Sequence, residues 1–232
     1  MMPERIEIAV NRICGELMSL QSEPCAWNER SEADLFRETV ASILGSRVHF
    51  EMALAATDAL AGEGLLEFCG NEGSYGGRVE AVLSRPLCHP NWSRGRRYRF
   101  PKCRARFLAK TATAIYANGG SFKGWLAELG DGRAARRYLV EKASGIGPKQ
   151  ASMILRNIGF CDHIAILDSH LMRFMHLRGL SDHAPRHVAS LKRYEEVEAR
   201  FLDYVERSGW PTPVLDQAIW IVMRVYLKGA MA

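Results

Sequence analysis

The chain contains no apolar run long enough to cross a membrane and no charged start followed by a short apolar stretch. Neither a spanning helix nor a secretory leader is expected, and the reading is an intracellular protein, in the cytoplasm or nucleoid or, in a eukaryote, the nucleus. Its six cysteines, at 14, 25, 69, 88, 103 and 161, are scattered, with no C-x-x-C pair and no metal-like cluster. That spacing argues against a disulfide scaffold or a side-chain metal site and for free thiols in a reducing compartment. Sustained period-two alternation is missing as well, which argues against a sheet protein. No internal repeat is present, and only residues 94–106 are compositionally biased. What remains is an all-α chain of 232 residues with a net charge of +5 and a pI near 9.0. Its length suits one large or two small domains. A moderately basic balance admits a nucleic-acid partner without demanding one.

Apolar spacing places the helices. Ile6, Ile8, Ala9, Ile13 and Leu17 form one side of a helix over 5–20. A linker containing Pro24 follows over 21–28. Ser31, with Asp34 three residues on, is an N-cap for a helix running to about 45. Further helices are predicted over 50–61, 65–68, 78–83, 102–117, 121–129 and 134–142, and near the C-terminus over 169–176, 191–207 and 213–227. In the helix over 134–142, Leu139 and Val140 are apolar, while Arg133, Arg136 and Arg137 are assigned to the solvent side.

The most informative stretch is 143–151. Gly145 and Gly147 bracket Ile146 between two predicted helices, and glycine tolerates the positive φ and close backbone approach of a tight helix–hairpin–helix turn. Pro148 suits the first position of the second helix, where its missing N–H leaves no bond unmade. Such a hairpin aims backbone N–H groups and the positive end of a helix outward, which is a phosphate-binding arrangement. Lys149 follows in the first turn, where cations are disfavoured. Two readings fit it: a cation facing phosphate or solvent, and an amine nucleophile. After Gly159, an expected C-cap, an apolar link over 164–167 leads to Asp168, which suits an N-cap and equally suits a charge partner for an amine.

The series Gly145-Ile146-Gly147-Pro148-Lys149, then Leu155-Arg156-Asn157-Ile158-Gly159, then Ala165-Ile166-Leu167-Asp168-Ser169-His170 resembles the helix–hairpin–helix superfamily of base-excision DNA glycosylases. The nearest branch is the type-2 8-oxoguanine DNA glycosylase/AP lyases. The likeness is densest over 138–175, with weaker echoes at Tyr98-Arg99-Phe100 and at Leu215-Asp216 with Trp220. It implies two helical lobes with the hairpin at the cleft between them: a barrel lobe over 31–158, and a second lobe formed by 1–30 with 159–232. It also implies Lys149 and Asp168 as catalytic residues, and Gly145 and Gly147 as the phosphate-binding hairpin, with a monovalent cation on the hairpin carbonyls as an option. The scattered cysteines depart from the endonuclease III type, whose four-cysteine motif holds an iron–sulfur cluster, so no cluster and no required cofactor are expected.

Three further regions acquire roles from the resemblance. The basic segment 94–106, interleaved with Tyr98 and Phe100, suits phosphate contact plus base stacking, with Phe100 lining a base pocket. Any single arginine there is also at home in a solvated loop. In the turn 45–49, where related glycosylases place a minor-groove wedge, Arg47 and His49 are the candidates, a plain surface turn being the alternative. Trp220 fits core packing on its apolar helix, yet the family's corresponding tryptophan flanks the lesion base. His170 is assigned a structural role, and Leu171, Met172, Phe174 and Met175 are assigned to the core.

The resulting expectation is a bifunctional DNA glycosylase/AP lyase that removes an oxidised purine, 8-oxoguanine first, from damaged double-stranded DNA. It would act as a monomer without a membrane partner. Two rivals are a monofunctional glycosylase using activated water, which has no need of an amine at 149, and a non-catalytic DNA-binding module in which Asp168 only caps a helix.

Overall fold

The computed structural model describes residues 2–20, 26–68, 70–181, 188 and 190–229. Among these the protein is all-α, with eleven α-helices and one two-rung strand pair. The chain divides into two compact units, Cys25–Phe160 and Met1–Pro24 with Cys161–Ala232. The divisions at 24/25 and 160/161 differ from the 30/31 and 158/159 of the sequence reading. Trp27, in a 3-10 turn Trp27–Glu29, packs its ring 5.5 Å from that of Phe160, so both belong to the larger unit. Of the expected linker, residues 21–25 lie outside the described residues.

In the larger unit, Ser31 accepts a hydrogen bond from the Asp34 N–H and starts α2 (Glu32–Leu44), which buries Leu35, Phe36, Val40 and Ile43. α3 (Phe50–Gly62) ends where Gly64 adopts φ +68° and the Leu65 N–H returns to Leu60 O. The helix expected over 65–68 is therefore not formed; that segment is the closing turn of α3, with Leu65 as its buried hydrophobic contact. α4 (Glu72–Ser84) begins six residues before the expected 78, capped by Asn71. Three glycines in its first half weaken it as an isolated helix. Tertiary packing compensates, because Gly76 lies so close to α5 (Pro101–Tyr116) that a Cβ would stand 3.2 Å from the Ala109 methyl. Between α4 and α5, β1 (Pro86–Leu87) pairs antiparallel with β2 (Arg96–Arg97), too short a ladder to leave any alternation in the sequence. α6 (Phe122–Ala127), α7 (Gly132–Lys142) and α8 (Pro148–Asn157) complete the unit.

The second unit is built from α1 (Met2–Leu20), α9 (Ser169–Leu177), α10 (Leu191–Ser208) and α11 (Thr212–Gly229). Its core gathers Val10 and Cys14 from α1, Leu171, Phe174 and Met175 from α9, Phe201 from α10 and Leu215 from α11. The Cys14 thiol is pushed up to about 11 by this burial. No helix of the described residues is long and apolar enough to cross a membrane.

Candidate functional site

The α7–α8 pair is the expected helix–hairpin–helix. Its helices are joined through Arg136, which is fully buried and donates to Ser152 Oγ at 3.2 Å. The solvent-side assignment of Arg136 is thus corrected: it sits three residues before Leu139, on the face that packs. The turn between the helices hangs on α5. Thr111 Oγ1 accepts from the Ser144 N–H at 3.0 Å and donates to Ser144 O at 3.4 Å. Next to it Gly145 adopts φ +79°, and a Cβ there would stand 2.4 Å from the Phe107 ring. Gly147 behaves differently. Its φ is −99°, a Cβ would meet only Gln150 Oε1 at 3.8 Å, and its N–H already donates to that oxygen at 3.1 Å. The Gly147 amide closes the cap of α8.

The two glycines should therefore separate on substitution. Gly145→Ala is expected to destabilise by about 1–2 kcal/mol from left-handed strain and a further ~1–3 kcal/mol from displacing Phe107. Gly147→Ala should change stability by roughly 0.5 kcal/mol or less. Denaturant melts of the two variants check this; equal losses would mean the turn responds as a unit.

Lys149, in the first turn of α8, is half-buried, and its Nζ lies 3.4 Å from Met153 Sδ. A thioether is a weak acceptor and no counter-ion. Among the described residues of its own unit, then, the amine is not held in an ion pair. The adjacent Gln150 also donates through Nε2 to Ser42 O at 3.0 Å, coupling the hairpin to the end of α2. That end is gripped twice more, by Tyr98 Oη on Leu44 O at 2.6 Å and by Arg104 Nη2 on Ser46 O at 2.9 Å. Gln150 and Arg104 were not singled out by the sequence reading. The turn they hold carries both wedge candidates, exposed: Arg47 at φ +63°, an uncommon conformation for a non-glycine residue, and His49 at the start of α3. Beside them Phe50 is 80% exposed, a feature helical periodicity does not reveal.

The basic segment divides. Tyr98 is buried and its hydroxyl is engaged, with burial pushing its pKa up to about 12, so it is a core residue and not a stacking surface. Phe100 is half-buried ahead of α5, with the guanidinium carbons of Arg99 and Arg104 5.0 and 5.7 Å from its ring centre. Arg104 itself is only 7% exposed.

In the second unit, Asp168 caps α9 through one oxygen: Oδ1 accepts from the His170 and Leu171 N–H groups, each at 2.8 Å. Oδ2 has no hydrogen bond among the described residues. The link before it is held by three buried side chains that the sequence reading gave no role. Glu198 Oε1 accepts from the Ala165 N–H at 2.8 Å, Asp216 Oδ2 from the Ile166 N–H at 3.1 Å, and Tyr194 Oη from the Leu167 N–H at 3.0 Å. These bonds to three consecutive amides, two of them to carboxylates, fix the approach to Asp168. Trp220 is 38% exposed and not a core residue; His170 meets it edge-on at 6.1 Å and Arg224 lies 4.8 Å from its ring centre.

The residues between Ala143 and Pro148 carry no carboxylate, so a cation on the hairpin would rest on neutral carbonyl oxygens, a donor set suited to a monovalent ion. No group of three or more His, Cys, Asp or Glu side chains placed to hold a metal occurs among the described residues.

The sequence profile described as 8-oxoguanine DNA glycosylase matches residues 92–210. The 8-oxoguanine DNA glycosylase/AP lyase of Metallosphaera sedula is 32% identical over 204 residues, covering 85% of this chain and 83% of that protein. The crystal structure of the 8-oxoguanine DNA glycosylase of Thermotoga maritima superposes with a TM-score of 0.62 at 27% identity, covering 94% of this chain and 89% of that one. The fold is shared with the Methanocaldococcus jannaschii 8-oxoguanine glycosylase/lyase crystallised in complex with 15mer DNA containing 8-oxoguanine, with a TM-score of 0.64, 22% identity and coverage of 94% and 88%.

Proposed function

Because this chain belongs to the helix–hairpin–helix 8-oxoguanine DNA glycosylase family, we propose that it is a bifunctional glycosylase/AP lyase acting on 8-oxoguanine in duplex DNA. The observation that carries the lyase half is Lys149: an amine at the start of the hairpin helix, with the Met153 thioether as its hydrogen-bond partner and no ion pair among the described residues of its own unit. Lys149 Nζ attacks C1′ of an extruded nucleotide, whose sugar is out of reach inside the stack. The glycosidic bond breaks and its electron pair leaves with the base, which takes up a proton. The nitrogen loses a proton and the C1′–O4′ bond opens, O4′ taking its electron pair and a proton, to give a Schiff base; this acidifies the C2′ proton, whose loss expels the 3′ phosphate and nicks the strand.

Asp168, whose Oδ2 has no hydrogen bond among the described residues, stabilises positive charge developing on the sugar and on the lysine nitrogen. Gly145 gives the turn its shape, and the first-turn amides of α8 face a DNA phosphate. Phe100 and Trp220, neither fully buried, offer ring faces for the base. A monovalent cation on the hairpin carbonyls would add to phosphate binding, and no step of the chemistry passes through it. A monofunctional glycosylase has no use for the amine, which disfavours that reading.

Borohydride reduction during incubation with an 8-oxoguanine duplex tests the proposal. A covalent protein–DNA adduct is expected with the lesion duplex and not with its undamaged counterpart. Excision without an adduct would indicate a water-dependent enzyme, and binding alone a non-catalytic module.

A further inference from the structure

Of the arginines in residues 94–106, those near α5 are occupied within the protein. Arg104 is buried on Ser46 O, and Arg99 and Arg106 lie over the Phe100 and Phe107 rings. Arg94 and Arg97 are different: they are exposed on the β1–β2 hairpin, as Arg96 is, and have no carboxylate partner among the described residues. The hairpin is nevertheless fixed in place. Its loop reaches the first turn of α3, where Trp92 Nε1 donates to Glu51 Oε2 at 2.9 Å and Asn91 Nδ2 donates to Glu51 Oε1 at 3.2 Å. The Arg96 guanidinium lies 4.7 Å from the Trp92 ring centre, and the His89 ring 5.2 Å from it. The Trp92 indole first, then Asn91 and the charges of His89 and Arg96, hold the Glu51 carboxyl below its usual range, so it stays ionised and engaged. Glu51 thus joins the arginine hairpin to the turn bearing Arg47, His49 and the exposed Phe50.

We infer that the hairpin over 86–97, pinned by Glu51 to the start of α3, is a second duplex-DNA contact, separate from the helix–hairpin–helix, in which Arg94 and Arg97 meet backbone phosphates and Glu51 is the positioning residue. Exposed guanidiniums without carboxylate partners suit a polyanion, and duplex DNA presents a charge about every 1.7 Å of its axis. Guanidinium forks match phosphate oxygens, and a fixed hairpin lessens the ordering needed on binding. The exposed Phe50 ring, on the same helical turn as Glu51, gives this surface an apolar edge against the sugars and bases of a groove.

The inference rests on the chain being a duplex-DNA enzyme, and the test separates the two. Binding of the full chain to lesion-bearing and undamaged duplexes of one sequence is measured across a salt series. Arg94→Ala with Arg97→Ala should weaken both duplexes alike and shallow the slope of log K against log[salt] by about 0.9 for each phosphate no longer neutralised. Glu51→Ala is the sharper arm. It raises the net charge by one, so a merely diffuse positive surface would bind DNA more tightly, whereas loss of positioning weakens binding and shallows the slope. Trp92→Phe, which keeps a ring under Arg96 and removes the indole donor, should shift in the same direction. Melting temperatures report whether the variants remain folded. An unchanged slope in the arginine variant, or tighter binding in folded Glu51→Ala, overturns the inference. Wild-type protein that fails to trap would refute the lyase reading and leave the salt slopes to judge the hairpin.

Discussion

Lys149→Gln should yield no borohydride-stable adduct with an 8-oxoguanine duplex under conditions that trap the wild-type chain. Glutamine is close in length and polar but carries no nucleophilic amine, so the Schiff base cannot form at this position. The variant should also be as stable as the wild type. Among the described residues of its unit the amine's hydrogen-bond partner is Met153 Sδ alone, and the side chain is half-buried, so little packing is removed. Taking a cation out of the first turn of α8 relieves an unfavourable interaction with the helix field worth about 0.3–1 kcal/mol. Lesion-duplex binding should persist, with the salt slope falling by at most about 0.9, because backbone amides and other side chains hold the DNA. Three measurements separate the outcomes: adduct formation, melting temperature and a binding titration. Full trapping by the variant would move the nucleophile to another amine. Loss of trapping together with a large fall in melting temperature would mean that Lys149 is structural.

Asp168→Asn should slow base excision by about a hundredfold or more, by analogy with removing one stabiliser of transition-state charge, while barely changing stability. The two carboxylate oxygens explain the split. Oδ1 alone accepts both capping bonds, from His170 and Leu171, and an asparagine oxygen can accept the same pair. Oδ2 is the atom exchanged for an amide nitrogen, and with it goes the negative charge. The stability loss should stay below the ~1 kcal/mol typical of deleting a cap. Asp168→Ala gives the comparison, since it removes cap and charge together and should lose both rate and stability. Single-turnover rates with thermal melts decide the matter. An asparagine variant that excises at near wild-type rate would leave Asp168 as a helix cap and nothing more.

Local chemistry was enough for the sequence to determine the helical class, the Ser31 and Asp168 caps, and the hairpin turning at Gly145. Each depends on residues within about four positions of one another, where side-chain size, φ preference and capping oxygens act directly on the backbone. The family resemblance drew on the same short runs. Arg136 shows a signal that was present and outweighed: its spacing from Leu139 put it on the packing face, while its charge suggested water, and a partner such as Ser152 on the facing helix resolves the conflict. Glu198 is similar, a carboxylate in register with Tyr194 and Phe201 whose acceptor role needs the Ala165 amide 33 residues away. For α4, three glycines weakened the local helix signal, and close packing of Gly76 against Ala109 restored it. Tyr98, Phe100 and Trp220 are all aromatic, and no local rule sorts them. Tyr98 becomes core because Leu44 O lies within reach of its hydroxyl, while Phe100 and Trp220 keep part of their surface open. The role of Glu51 was equally invisible, since its partners Asn91 and Trp92 lie 40 and 41 residues away. Burial and hydrogen bonding at these positions are set by which distant group arrives, and that is decided only when the chain has folded.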